Sequence, residues 1–529
     1  MTAPAFAPLT NGVRAARAAL PDLSPADFRS GILNAVASGG RVAALFGAAP
    51  GGGAAPGAVA AAGAVAEAPP AARPNRLELY AVLADDAAGG LYAARTTVPA
   101  DSFASLAADC PQVQLFEREI AEQFGAVPLG HPWLKPVRYR RSWTGRDAWK
   151  RPAGEPIQPG GGDFYRVEGE QVHEVAVGPV HAGVIEPGHF RFQCHGEEVF
   201  HLEIALGYQH RGVEEALIGG PDARSPHYAA TLAGDATIGH GTAYCMAVEA
   251  LAGTKPSARA QALRGVALEL ERLANHVGDL GALAGDVGFL PAASYCGRLR
   301  GDFLNMSALL CGNRFGRGLA TPGGVGFDLE PARAAELAKR LDAAAADTAN
   351  AVNLLWDNQA VMARFEDTGV LPKDTARELG IVGPAARASG LARDVRADHP
   401  FGIYRFTQIP VSSYDSGDVF ARAYVRWLDI QHSVAFIREQ LAALPGGELR
   451  RPLGALEPDS LAVALTEGWR GEICHVALTG ADGRFERYKI VDPSFHNWSA
   501  LAYTLRGQEI SDFPLCNKSF NLSYCGHDL

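Results

Sequence analysis

The sequence predicts an α+β protein of two unequal parts: a small N-terminal α+β domain, then a mostly helical bundle carrying a small antiparallel sheet. Near the start, two β-like runs, LELYAVLAD and GGLYAARTTVP, flank a glycine-containing turn. Beyond Val213, long stretches carry apolar residues at i, i+3, i+4 and i+7, which is the pattern of bundle helices. Between these parts, residues 142–170 follow neither period and are rich in Trp, Arg, Pro and Gly, as expected of an extended linker lying over a surface. The expected division is therefore 1–141, a linker at 142–170, and 171–529.

Taken in order, SPADFRSGILNAVA reads as a helix capped by Ser24, and RVAALFG as a short apolar run. The Gly/Ala/Pro-rich stretch at 47–75 breaks all periodicity and reads as a flexible loop. FEREIAEQF is a helix whose Glu117, Glu119 and Glu122 are expected to face outward. VHEVAVGPVHAGV and FRFQCHGEEVFHLEIALGYQHRG alternate as a short antiparallel sheet. In the helical part, Arg259, Arg264 and Arg272 with Glu269 and Glu271 read as a solvated or subunit-facing stripe, and His276 as a bonding residue between helices. Asp418–Leu444 is a further helix, EICHVALTG and RFERYKIVD form a hairpin about Asp482-Gly483, and a last helix lies near Trp498–Leu505.

A formal charge of −10 argues against nucleic acid as partner, because phosphates call for a basic field. The eight cysteines are scattered without a CxxC pair, as reduced thiols are, and supply no iron–sulfur ligand set. No strand precedes a GxGxxG and there is no P-loop, so NAD is not expected to bind this chain directly. The N-terminus lacks a secretory pattern and no window offers about 20 strongly apolar residues, so membrane association is expected to run through partners.

Longer motifs narrow the reading. VGPVHAGVIEPGHFRF, LGYQHRGVEE, LELERLANHVGDLGAL, PGGV, GPAARASGLARDVRADHPF, EGWRGE and YKIVDPSFHNW resemble the family joining the 49-kDa subunit of respiratory complex I to the large subunits of membrane-bound nickel–iron hydrogenases. FEREIAEQFG and GHPWLKPVR are similar to the 30-kDa subunit of complex I, which assigns 1–141 and 171–529 to the two subunit types. Their order in one chain resembles the fused large subunits of formate hydrogenlyase and hydrogenase-4 complexes.

The resemblance implies four thiolates for a nickel–iron site, yet Ala233 and Ala236 stand at the first pair of positions and Ser523 and Gly526 at the second. Cys525 is one residue out of register, and thiolate ligation cannot be replaced by methyl groups and a hydroxyl. Leu529 follows directly, so no extension is expected for removal. A nickel-free oxidoreductase subunit is therefore expected, with no metal of its own and with a quinone as the acceptor the resemblance implies.

Quinone reduction needs two protons, for which the motifs offer His181, His189 and Asp286. His210, Arg211 and Glu214, with His240, are expected near a partner's iron–sulfur cluster, where a guanidinium raises the reduction potential. The tyrosine that complex I carries downstream of HRG is missing from LAGDAT, with Tyr228 several residues earlier. Asp492 and His496 read as turn residues. Implied partners are a 20-kDa-like iron–sulfur subunit, a ferredoxin-like subunit and antiporter-like membrane subunits, at the cytoplasmic face of the inner membrane. Two alternatives stay open: a true hydrogenase using Cys525, Cys245 and His240, and a coupling subunit without redox ligands.

Overall fold

The computed structural model describes residues 5–49, 75–152, 154–181 and 185–529. The loop expected at 47–75 lies almost wholly outside the described residues. Strands β1 (Ala7–Leu9), β2 (Arg14–Ala16), β3 (Asp22–Leu23), β4 (Arg41–Ala48), β5 (Arg76–Asp85) and β6 (Gly90–Pro99) open the chain. All but β2 form one sheet in the order β1-β6-β5-β4, with β3 parallel to β6. The β5–β6 turn passes through Gly89 at φ 63°, a conformation glycine adopts without strain. Helix α1 (Pro25–Ala37) starts where Ser24 Oγ accepts the Asp27 N–H, and α2 (Gln114–Phe124) stops at Gly125, φ 70°.

The charged face of α2 does not meet water. Glu117, Glu119 and Glu122 are all buried. Glu117 accepts the Leu106 N–H, Glu119 pairs with Arg138 and Lys489, and Glu122 accepts the N–H groups of Arg138 and Arg140. Amphipathic period identifies a polar face; here backbone donors and Arg138 of the same part, with Lys489 from the second part of the chain, cover it.

β2 crosses the expected division altogether. It hydrogen-bonds β10 (Ser460–Gly468, below), Ser460 opposite Ala16, and so forms the edge of the C-terminal sheet. The buried Arg41–Glu472 pair joins the same two parts.

After the linker, β7 (Val172–Val177), β8 (His189–His195) and β9 (Glu198–Ala205) form the expected antiparallel sheet, β8 central. The bundle consists of α3 (Thr237–Ala252), α4 (Ala258–Asp286), α5 (Leu290–Cys311), α6 (Pro331–Trp356) and α7 (Val419–Ala442), with short helices between the last two. α4 is central, packed by α3, α5, α6 and α7. Arg264, Glu269, Glu271 and Arg272 are consequently buried, contrary to the expected solvated stripe, and only Arg259 keeps a partly exposed ion pair with Asp328. Inside, Glu269 is held by Arg272, Arg396, Tyr404 and Ser433, so the charges are neutralised in place. His276 lies between Asp279 of its own helix and Asp429 of α7, at 3.7 and 3.5 Å, as a residue joining helices.

The C-terminal sheet has the order β12-β11-β10-β2, where β10, β11 (Gly471–Thr479) and β12 (Phe485–Val491) form a meander turning at Gly483, φ 72°. Helices α8 (Pro493–Thr504), α9 (Phe513–Phe520) and α10 (Tyr524–Asp528) close the chain against α4 and β9.

Candidate functional site

The loop Leu232–Ala236 and the tail Asn521–Leu529 meet under the β10–β11 turn. Ala233 and Ala236 pack on Trp469, with Cys525 against the same cluster. Trp469 Nε1–H donates to the Asp235 carbonyl at 2.8 Å. Arg470 lies 3.9 Å over that indole, forks onto the Asp235 carboxylate at 2.7 and 2.8 Å, and donates through Nε to the Asn521 carbonyl at 2.5 Å. One Trp-Arg turn thus ties loop to tail, using a bidentate geometry that lysine cannot reproduce.

This junction does not fit a nickel–iron centre. Ser523 caps α10 through Oγ, accepting the Gly526 N–H at 2.9 Å. A Cβ added at Gly526 would lie 2.6 Å from Asp492 Cγ, so the direction a cysteine side chain would take is filled by a carboxylate. The Cys525 thiol is pushed up to about 11 by burial and by Glu186, which keeps it from being a thiolate. Cys245, of the alternative ligand set, belongs to a different apolar cluster and its thiol is pushed up to about 12 by burial. Among the described residues no three His, Cys, Asp or Glu side chains are placed to hold a metal.

Instead, Asp492 ends a buried chain of hydrogen bonds. His240 Nε2 is 2.9 Å from Asp492 Oδ2, His240 Nδ1 is 3.1 Å from His475 Nε2, and His475 Nδ1 is 2.9 Å from the Tyr488 hydroxyl. Burial, then the neighbouring His240, holds His475 well below the ordinary imidazole range, so it is neutral. Burial pushes the Asp492 carboxyl up, but His240 and Arg470 bring it below its usual value, so it is ionised. One assignment satisfies every member: Tyr488 O–H donates to His475, His475 Nε2–H to His240, and His240 Nε2–H to Asp492. All three protons point toward Asp492, so the chain of hydrogen bonds ends on its carboxylate.

Of the residues singled out by sequence, His210 and Arg211 bracket the tail. His210 donates from Nδ1 to the Asp528 carbonyl at 2.5 Å and accepts from Arg140 at Nε2, 3.0 Å. Burial, with Arg138 and Arg140, holds it at about 3. The Arg211 and Gly212 N–H groups donate to the Leu529 carbonyl, and the exposed Arg211 guanidinium donates to the Thr231 and Leu232 carbonyls. Glu214 turns inward instead, buried against Lys489 and Arg487.

His189 donates from Nδ1 to the Gly178 carbonyl at 3.0 Å, and its Nε2 accepts from Arg191 at 3.3 Å. His181 packs 6.2 Å from Phe190, itself against Tyr524 of the tail, and its Nε2 has no hydrogen-bond partner among the described residues. Asp286 is not brought to these histidines by any hydrogen bond or ion pair; it ends α4, exposed, and its charged neighbour is Lys518 of α9. Sequence reasoning missed His475 and Tyr488, and read Asp492 as a turn residue. Asp492 does cap α8, accepting the Ser494 N–H at 2.8 Å, and bonds His240 besides. The available signal was polarity in the wrong place: His475 and Tyr488 interrupt strands buried on both faces.

A helical bundle and small sheets, bringing an HRG bracket, a loop and a C-terminal tail together under a Trp-Arg turn, define the architecture of a redox-complex large subunit. Residues 286–455 match the family model of the respiratory-chain NADH dehydrogenase 49 Kd subunit. Formate hydrogenlyase subunit 5 of Escherichia coli (strain K12) is 31% identical over 426 residues, 77% of this chain and 74% of that protein. An NADH-quinone oxidoreductase subunit of Solibacter usitatus (strain Ellin6076) is 28% identical over 319 residues, 60% of this chain and 86% of that protein. The fold is shared with a chain of the membrane-bound sulfane sulfur reductase, an archaeal respiratory membrane complex, at TM-score 0.63 and 23% identity, over 69% of this chain and 100% of that one. The chain belongs to the family of group 4 hydrogenase and complex I-like large subunits, and is an oxidoreductase subunit of that kind.

Proposed function

We propose that the chain works without nickel, within a membrane-associated redox complex, passing electrons from a partner's iron–sulfur cluster to a quinone-type acceptor. The observation that carries this reading is the junction itself: Ala233, Ala236, Ser523 and Gly526 occupy the ligand positions, and Asp492 fills the space beside Gly526. The filled junction also favours an acceptor outside it, on the side where Arg211 and Gly234 are exposed and Cys525 partly so.

Reduction consumes two electrons and two protons per quinone. Electrons come from the partner's cluster. Protons are handled by two groups of this chain: His181, whose Nε2 has no partner among the described residues, and the Tyr488–His475–His240–Asp492 chain beneath the junction. Val180, 90% exposed, and Ile185, 46% exposed, give the His181 loop an apolar rim suited to a quinone or to a partner subunit. The partners we propose are a 20-kDa-like iron–sulfur subunit, a ferredoxin-like subunit and antiporter-like membrane subunits, with this chain peripheral at the cytoplasmic face. No described helix is long and apolar enough to cross a membrane.

The test is elemental and kinetic. The complex purified through this chain is expected to hold no nickel and to reduce a short-chain quinone, with His181→Gln lowering turnover at least about a hundredfold, the low end of the usual scale of a lost general acid. One nickel per chain with hydrogen-dependent dye reduction would overturn the proposal. Quinone reduction unchanged in His181→Gln and His240→Gln together would remove this chain's proton role.

A further inference from the structure

A cleft of about 460 Å³ opens between α2, the strap Pro132–Tyr139, β9 and α8, away from the Trp-Arg turn. That volume is in the range of small-molecule sites, roughly 300–1,000 Å³. Its charges do not balance. Lys135 is paired with Glu203. Arg118 is fixed by two carbonyls, Nε–H to Lys135 at 2.8 Å and an Nη–H to Pro136 at 3.0 Å, and has no carboxylate within ion-pair distance among the described residues. Arg506 at the exposed rim lies 5.3 Å from the Tyr503 ring, likewise without an acidic partner among the described residues.

Burial holds the Arg118 guanidinium below its ordinary range, and the more distant Glu203 and Glu122 only partly offset it. Buried charges are ordinarily paired; Arg272, Arg387, Arg396 and Arg426 of the bundle core each have a carboxylate, whereas the half-buried Arg118 of α2 has none within ion-pair distance among the described residues. The cleft also contains His527, buried and kept neutral by burial and by Arg138 and Arg118; its Nδ1 has no hydrogen-bond partner among the described residues. One wall is Tyr139, at φ 55°, an uncommon conformation for a bulky residue and the kind of strain that clusters at ligand clamps. Tyr503 and Trp498 of α8 add flat apolar surface.

We propose that this cleft is a second ligand site, taking a small organic anion: a flat, unsaturated body bearing one carboxylate or phosphate that lies between Arg118 and Arg506. The fixed guanidinium leaves its remaining Nη for the oxyanion, and the aromatic wall takes the ring. A small molecule is favoured over a docked strand because the free polar groups are side-chain cations and one imidazole nitrogen, converging on a pocket rather than spaced along a ladder.

Two probes distinguish the acid group: AMP carries phosphate, and 2-naphthoate carries carboxylate. Each is titrated calorimetrically into the full chain and into the complex purified through it, at low and high salt. We expect one of them to bind at one per chain, more weakly at high salt. Arg506→Ala, at an exposed position, should weaken binding about fivefold without moving the melting temperature, and Arg118→Lys about tenfold, roughly 1 and 1.4 kcal/mol. Inorganic phosphate should compete only feebly. The proposal fails if neither probe saturates, if binding ignores both substitutions, if phosphate alone competes equally, or if the free chain binds and the complex does not, which would assign the cleft to a partner's segment.

Discussion

Gly526→Ala is the sharpest test of the junction. The added Cβ would stand 2.6 Å from Asp492 Cγ and 2.7 and 2.9 Å from its oxygens, closer than real Cβ contacts come. Asp492 has little room to yield, since its carboxylate holds His240 Nε2 at 2.9 Å and the Ser494 N–H at 2.8 Å. Moving it forfeits a helix cap, about 1 kcal/mol, and a charge-assisted hydrogen bond, about 1.5–3 kcal/mol. A loss of about 2–4 kcal/mol is expected, read as a lowered urea midpoint at unchanged slope. In an Asp492→Ala background the same change should cost less than about 1 kcal/mol, because the obstacle is gone. A wild-type cost within about 0.5 kcal/mol, or equal costs in both backgrounds, would refute the claim that the carboxylate fills the ligand direction.

Further outcomes follow from the buried charges. Glu119→Gln leaves Lys489 and Arg138 sharing fewer anions and should cost about 3–5 kcal/mol in urea unfolding, far above a surface ion pair. Burial pushes the Glu271 carboxyl up to about 8, above its usual 4.5, so the stability it contributes is full below about 4.5 and is lost as pH rises toward 8. Glu271→Gln should therefore gain on the wild type across that window and no further above it, as measured by urea midpoints at stepped pH. His210, depressed to about 3, acts oppositely: its contribution is full above about 6.5 and is lost as pH falls toward 3, and His210→Asn should flatten that acid limb.

Much of the architecture was legible because local signals agreed. Ser24 does cap its helix, Gly483 does turn the hairpin, and the heptad-like runs are bundle helices. What failed was the wet side. Both α2 and α4 carry charged stripes, and both stripes are buried, because a stripe's period fixes its angle on the helix and says nothing of what packs there. On α2 two of the covering charges, Lys489 and Arg487, come from a strand far along the chain, and Arg138 comes from the strap that follows the helix. The same limit hid β2, whose three residues read as nothing alone and form a sheet edge only against β10.

The junction shows what the ligand motifs could and could not convey. The family resemblance places Ala233, Ala236, Ser523 and Gly526 at the ligand positions, where they supply no thiolate set, but vacancy in a motif is not vacancy in space. A metal bound by loop and tail would also cross-link them. The chain makes this join with its own bonds: Arg470 ties Asp235 to Asn521, Arg211 ties Thr231 and Leu232 toward the tail, and the Arg211 and Gly212 amides grip Leu529. Gly526 then lets α10 approach Asp492, whose second bond recruits His240 and, behind it, His475 and Tyr488. The glycine at the last ligand position and the buried hydrogen-bond chain are thus coupled features, since a side chain at residue 526 would displace the carboxylate on which the chain ends.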